Sequence, residues 1–306
     1  MTHAGTLLAL VLLLGFNVAL TRNFLSLQTL NVNLAQVTTI VIVGVGLTLV
    51  IATGGIDLSV GSLMAIAGTL APLIFGKWPG ATGLVLAITL PIAAAWCCGY
   101  FNGWLITRFK VQPIVATLVL FIAGRGIAQV LTGGQLQAFA NPGFGVLGTG
   151  KLGGVPVQVW LMLVIVALAS WILHRTVFGR YVVATGGSER AARLAGIPAA
   201  RIKRHVYALG GALAGLAGLI TVSINSSSDA NLNGLGMELD AIAAVAVGGT
   251  LLSGGRATVL GTLLGALIIQ LLRYTLLAHG VPDAAALVVK AGIIIAAVWV
   301  QRRHRS

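Results

Sequence analysis

Gly54-Gly55-Ile56-Asp57-Leu58-Ser59-Val60-Gly61 separates one long apolar run from the next, and Gly248-Gly249-Thr250-Leu251-Leu252-Ser253-Gly254-Gly255 does the same far downstream. The two stretches share Gly, Gly, Leu, Ser and Gly in register. Interrupted apolar segments in matching places are a device that membrane transporters use near their pathways. Each break follows a descending span and opens an ascending one, so the two copies run in the same direction, as parallel repeats would. The alternative source of the likeness is chance similarity between glycine-rich membrane helices, in which Gly lets backbones pack closely.

Working outward from the breaks, the whole chain is apolar. Of 306 residues, 58% are hydrophobic and 8% charged, too few polar groups to cover a soluble globule. Apolar runs near residues 5–21, 36–52, 59–76, 83–105, 112–131, 157–173, 205–223, 238–250, 257–277 and 284–300 give about ten candidate transmembrane helices. The fold class is therefore all-α and polytopic, with broken or re-entrant segments at the Gly-Gly motifs. Crossing the hydrocarbon core takes about 20 helical residues, so 238–250 is short and reads as tilted, broken or re-entrant. The first span lacks a preceding basic residue and a following small-residue cleavage site, and is expected to stay as an anchor.

The net charge of +13 does not point to nucleic acid, because the basic residues do not gather on a soluble face. With both termini cytoplasmic, the Arg and Lys residues at 108–110, 175–204, 256 and 302–305 fall on the inner side. Only Arg22, Lys77 and Lys151 fall outside, which is the asymmetry expected of cytoplasmic loops. Cys97 and Cys98 are adjacent in an apolar run and point to different helix faces, so they read as lipid-buried or packing thiols.

Two connections stand out. Residues 132–156, rich in Gly with Pro142 and Pro156, suit turns and irregular chain on the outer side. Within them, Gly145 to Leu152 approaches a phosphate-binding loop but has Leu152 where Ser or Thr must hold magnesium. Any ATP is expected to be hydrolysed by another chain. On the inner side, Ser188-Glu189-Arg190-Ala191-Ala192-Arg193-Leu194-Ala195-Gly196 has a capping Ser188, helix-favouring alanines, and Gly196 and Pro198 as stops. This predicts a short surface helix.

No Ser/His/Asp arrangement, metal-spaced His or Cys set, or carboxylate pair appears, so no catalytic residue, metal site or cofactor is assigned. Ionisable groups at membrane depth are expensive and face a bundle interior or a watery cavity. Arg125 has two readings of equal weight: a pathway group, or a structural Arg bonding backbone carbonyls between helices. Gln129 lies one turn on along the same face, and Asn102 can join the stripe. Asp57 and Ser59 can cap the amides of the helix starting near Val60; direct substrate contact is the other reading. Glu238 and Asp240 open the short 238–250 segment, where carboxylates favour a helix N-terminus; they are also candidates for facing a sugar.

These motifs carry a family resemblance. Thr48 to Gly61, Ala116-Thr117-Leu118 with Gly124-Arg125-Gly126, Gly186 to Ile197, and Glu238 to Thr250 together resemble the ribose/galactofuranose-type sugar permeases of ATP-binding-cassette importers. This is the branched-chain amino acid/ribose-type permease family, and the likeness runs from roughly residue 36 to 300. Lys110-Val111-Gln112-Pro113, Ala123 to Gln129 and Asp229-Ala230-Asn231 are most similar to the galactofuranose-type members.

The resemblance implies one permease domain over residues 1–306, of the type II importer kind, in a bacterial inner membrane. It implies a second permease, identical or similar, a cytoplasmic ATPase, a periplasmic sugar-binding protein and a monosaccharide as cargo. Residues 188–196 match the family's coupling helix, which places Gly187, Glu189, Arg190, Ala192, Arg193 and Gly196 against the ATPase. Asp57, Ser59, Asn102, Arg125, Gln129, Glu238 and Asp240 are the substrate-pathway candidates. The alternative function is an ion-gradient-driven secondary transporter, which interrupted helices also permit but for which ion-coupling carboxylates are scarce.

Overall fold

The computed structural model describes residues 4–282, 284, 285, 287–289, 291 and 292. The expected span over 284–300, Asp283, Lys290, and the basic C-terminal residues Arg302, Arg303 and Arg305 fall wholly or largely outside them. The chain is helical, in the order α1 (Ala4–Leu20), α2 (Leu27–Ala52), α3 (Val60–Lys77), α4 (Ala81–Phe109), α5 (Pro113–Thr132), α6 (Pro142–Thr149), α7 (Val157–Arg175), α8 (Val177–Gly187), α9 (Glu189–Leu194), α10 (Ala199–Asn225), α11 (Met237–Val247) and α12 (Val259–Ala278). Four two-residue strands pair antiparallel, β1 (Gln137–Ala138) with β4 (Ser227–Ser228) and β2 (Lys151–Leu152) with β3 (Val155–Pro156).

Among the described residues, 7 helices are long and apolar enough to cross a membrane: α2, α3, α4, α5, α7, α10 and α12. The expected number of about ten is not confirmed among these residues, which leave out most of the expected span over 284–300. Apolar α1 has 17 residues, just short of a full crossing, and α11 has only 11, so the short reading of 238–250 agrees with the structure. Helices leave no backbone group for lipid to satisfy, which is why an apolar chain of this composition takes this form.

The bundle is layered by burial. In α2, 83% of the most apolar stretch is buried, against 22% in both α4 and α5; from Val37 to Ala52 every residue of α2 is buried, as suits a helix segment enclosed by protein. It packs on α10, α12, α11 and α7, while α10 packs most extensively on α4. Glycines permit that last approach: a side-chain methyl on Gly99 would overlap the Tyr207 carbonyl, and one on Gly211 would overlap the Ala95 carbonyl. Polar side chains join α2 to α12, with the Thr48 and Thr262 hydroxyls 2.7 Å apart and Gln270 Nε2 donating to Gln36 Oε1 at 2.6 Å. Such bonds hold helices together where apolar surface gives no preference over lipid.

The connections separate two ends of the bundle. One end gathers Arg108, Lys110, Arg190, Arg193, Lys203, Arg204 and Arg256; residues 137–157 and the strand Ser227–Ser228 lie at the other, joined by the β1–β4 pair. At that second end, part of the expected irregular chain is helical. Asn141 Oδ1 accepts from the Phe144 amide at 3.0 Å, Pro142 begins α6, and the Phe144 side chain is buried. Asn followed by Pro is a helix start, and the ring's burial holds it in place.

Gly99→Ala is expected to destabilise the α4–α10 contact by about 1–3 kcal/mol, the usual range for overpacking. Gly126→Ala, which would have no neighbour within 4 Å, is the matched control. Thermal unfolding of the two purified variants in one detergent checks the difference.

Candidate functional site

Both Gly-Gly breaks end a helix in the same way. The Gly54 amide donates to the Ile51 carbonyl at 2.8 Å and the Gly55 amide to the Val50 carbonyl at 3.2 Å; Gly249 donates to Ala246 at 3.0 Å and Thr250 to Val245 at 3.2 Å. The left-handed residue is Gly54 (φ 78°) in one and Gly249 (φ 86°) in the other, a conformation that glycine adopts without strain. The structural match is thus one residue out of the register that the sequence suggests. Downstream the likeness ends: Gly61 is already inside α3, whereas Gly255 lies in the linker before α12 with φ 80°.

The first break leads into a buried polar network. Asp57 Oδ1 accepts from the Ser59 amide at 2.8 Å and from the Ser59 hydroxyl at 2.6 Å, and Asn102 Nδ2 donates to Ser59 Oγ at 3.0 Å. Asp57, Ser59 and Asn102 are all fully buried. The expected capping of the α3 amides is not made by either side chain: Asp57 reaches only the amide and hydroxyl of Ser59, the cap residue itself, and the Ser59 side chain bonds no first-turn amide. Asn102 belongs to this network rather than to a stripe with Arg125. Two residues that sequence reasoning did not assign complete it: Thr117 Oγ1 accepts from the Leu58 amide at 3.2 Å, and the Tyr207 hydroxyl donates to the Ile56 carbonyl at 3.2 Å. Thr117 could be found only through its motif, and Tyr207 gave no signal, being one aromatic in an apolar run.

Arg125 makes the backbone bonds of the structural reading. Its Nη1 donates to the carbonyls of Ala230 at 3.0 Å and Asn233 at 2.6 Å, and its Nη2 to Gly61 at 3.4 Å, so the guanidinium ties residues 230–233 to the first turn of α3. Gln129 Nε2 extends the tie to Asn231 Oδ1 at 2.8 Å. Glu238, at the start of α11, is buried with Oε2 against Gly61; Asp240 lies in the same helical turn. Asp57, Ser59, Asn102, Arg125 and Glu238 thus meet at the start of α3. Asp57, Ser59, Asn102 and Glu238 are sealed there, while Arg125, Gln129 and Asp240 reach a partly open surface.

At the basic end, α9 forms as expected. Ser188 Oγ accepts from the Ala191 amide at 3.2 Å, and Gly196 (φ 79°) turns the chain out after Ala195. Glu189 binds Arg193 one turn along and Lys203 on α10 at 2.5 Å. Burial alone would raise the Glu189 carboxyl, but the bonds and charges of Lys203 and Arg193 outweigh it, leaving its pKa below the ordinary 4.5. Ala192 is buried against its own chain, so it is a seat for the helix and not an outward contact; Leu194, absent from the sequence-based candidates, is 84% exposed. Beside α9 a cavity of about 490 Å³ is lined by Lys110, Gln112, Glu189, Arg190, Arg193 and Lys203, among others.

A polytopic helical bundle with broken spans, a polar break and a capped helix at its basic end is the build of a membrane permease. The family described as branched-chain amino acid transport system / permease component matches residues 30–298, and the chain belongs to that family. The ribose import permease protein RbsC of Escherichia coli K12 is 41% identical over 98% of this chain and 94% of its own length. The galactofuranose transporter permease protein YtfT of the same strain is 41% identical over 87% of this chain and 77% of its own. The ribose permease of Bacillus subtilis is 40% identical over 100% of this chain and 94% of its own. Equal identity to ribose and galactofuranose permeases does not single out the latter. No solved structure matches the chain.

Asp57→Ala removes the acceptor of two buried donors and is expected to destabilise by about 1–3 kcal/mol per stranded group, whereas Asp57→Asn keeps an oxygen for Ser59 and is expected to be milder. Comparing unfolding midpoints of the two variants checks this. The depressed Glu189 pKa means its ion pairs contribute in full above pH 4.5 and are lost as pH falls through the lower folded value. Amide exchange in α9 is expected to stay flat from pH 7 to about 5, once corrected for intrinsic rates, and to rise only in stronger acid.

Proposed function

We propose that this chain is the pore subunit of an ATP-driven importer that moves a monosaccharide across a bacterial inner membrane, with ATP hydrolysed by a separate subunit. The observation that carries the reading is the pairing of family membership with α9, a short helix capped at Ser188, stopped at Gly196 and braced by Glu189. Relatives named as ribose, galactofuranose, fructose and L-arabinose permeases support a sugar as cargo.

In this reading both termini and the basic end are cytoplasmic, in keeping with the retention of Lys and Arg on that side. The ATPase meets α9 through Leu194, Arg190 and Arg193, with Gly187 and Gly196 letting its surface come close. The basic lining beside α9 suits an acidic segment of that partner. Ala192 and Glu189 hold the helix in place, so that motor closure is passed to the bundle as a rigid displacement. A second permease, identical or similar, completes the conduit, and a periplasmic sugar-binding protein delivers the cargo. Arg125, Gln129 and Asp240 are the residues a sugar reaches first. Asp57, Ser59, Asn102 and Glu238 meet it only if the helices around α3 part.

Proteoliposomes holding the permease, its ATPase and the binding protein are expected to accumulate sugar only with ATP inside the motor's compartment. Accumulation by the chain alone, or on a proton or sodium gradient without ATP, overturns the proposal. Leu194→Asp is expected to weaken ATPase capture in a pull-down while membrane insertion persists.

A further inference from the structure

Three glycine pairs from distant parts of the chain meet at one point. The Gly255 amide donates to the Ala52 carbonyl at 3.0 Å, which joins the end of α2 to the linker before α12. Gly186, at the end of α8, lies against both partners: a methyl there would overlap the Ala52 carbonyl and come within 2.6 Å of the Gly255 amide. A methyl on Gly254 would sit 2.8 Å from the Gly54 amide and 2.9 Å from the Gly186 carbonyl, closer than real side chains approach. Only three residues separate Gly186 from Arg190 of α9, with Ser188 capping that helix on the way.

We infer that Gly186 is a positioning residue of transport, through which a displacement of α9 reaches the two broken spans by backbone contact at Ala52 and Gly255. This inference rests on the coupling role proposed for α9. The contact is backbone against backbone with no compressible side chain between, and packed contacts of this kind transmit small shifts without absorbing them. Sequence neighbours alone would send the displacement into α8 and α10. The glycine junction sends it across the fold into α2 and α12, the helices that begin or end at the breaks. It also gives the second break a part in the cycle although its register with the first is imperfect.

Hydrogen exchange on the intact transporter, with and without a non-hydrolysed ATP analogue, tests the inference. Amides of residues 250–257 are expected to change protection together with those of 188–196. If 188–196 respond and 250–257 do not, the junction inference is overturned and the coupling reading stands; if neither responds, the coupling reading fails and takes the inference with it. Gly186→Ala adds a second readout. The Gly255 amide is expected to exchange at least about tenfold faster, as an overpacked backbone contact opens, and sugar moved per ATP hydrolysed to fall, while Gly126→Ala changes neither. Unaltered sugar-to-ATP stoichiometry in a folded Gly186→Ala transporter also overturns it.

Discussion

The contact between the Ala52 carbonyl and the Gly255 amide is the constraint on which the basic end depends. Helix α2 is the most buried long helix of the bundle, and its last carbonyls need partners that lipid cannot supply. The Val50 and Ile51 carbonyls find theirs in the turn at Gly54 and Gly55, and the Ala52 carbonyl in a linker more than half the chain away. That linker can approach only because Gly254 and Gly255 take left-handed conformations and because Gly186 presents no side chain to the same carbonyl. The end of α8, and with it α9, is thereby fixed against the two breaks instead of hanging from its flanking helices.

A similar economy governs the polar residues. A membrane transporter needs polar groups for its cargo, yet each one buried in the bundle must be satisfied from within. The first turn of α3 concentrates them and meets the second demand only in part, since Asp57 Oδ2, Asn102 Oδ1 and Glu238 Oε2 are buried there without a hydrogen-bond partner. Asp57 serves the Ser59 amide and hydroxyl, Asn102 serves Ser59, and Arg125 collects carbonyls from residues 230–233 and Gly61. Glu238 sits against the same turn. Most of these groups are closed off in this conformation, so their structural bonds and any contact with cargo exclude one another in time. A pathway built here opens only by exchanging internal bonds for bonds to the cargo, and that exchange is a natural point at which to apply work from outside.

Much of this was legible in the residues. Ser188 with Gly196 specified α9 nearly to the residue, because a cap and a left-handed stop are local chemistry. The short segment at 238–250 declared itself by length. The register between the two breaks misled by one position, since the letters match at Gly54 and Gly248 whereas the backbone places Gly54 with Gly249. Ala192 carries no mark to show which way it faces on a helix of fewer than two turns, and its burial is a property of the folded chain around it. Leu194 gives no signal in the sequence, because an apolar residue in an apolar chain is unmarked until its surroundings are known.

By itself, then, the sequence determined the membrane class, the places where helices break, the basic end and the surface helix, all of which follow from composition and from bonds spanning a few residues. Tertiary structure alone decided that Arg125 bonds the carbonyls of residues 230–233 and Gly61, that Asn102 pairs with Ser59, and that Gly186 meets Ala52 and Gly255. Those are contacts between segments scores of residues apart, made by groups whose chemistry permits several partners. In a bundle held by packing and satisfied polar groups, only the full set of neighbours selects one.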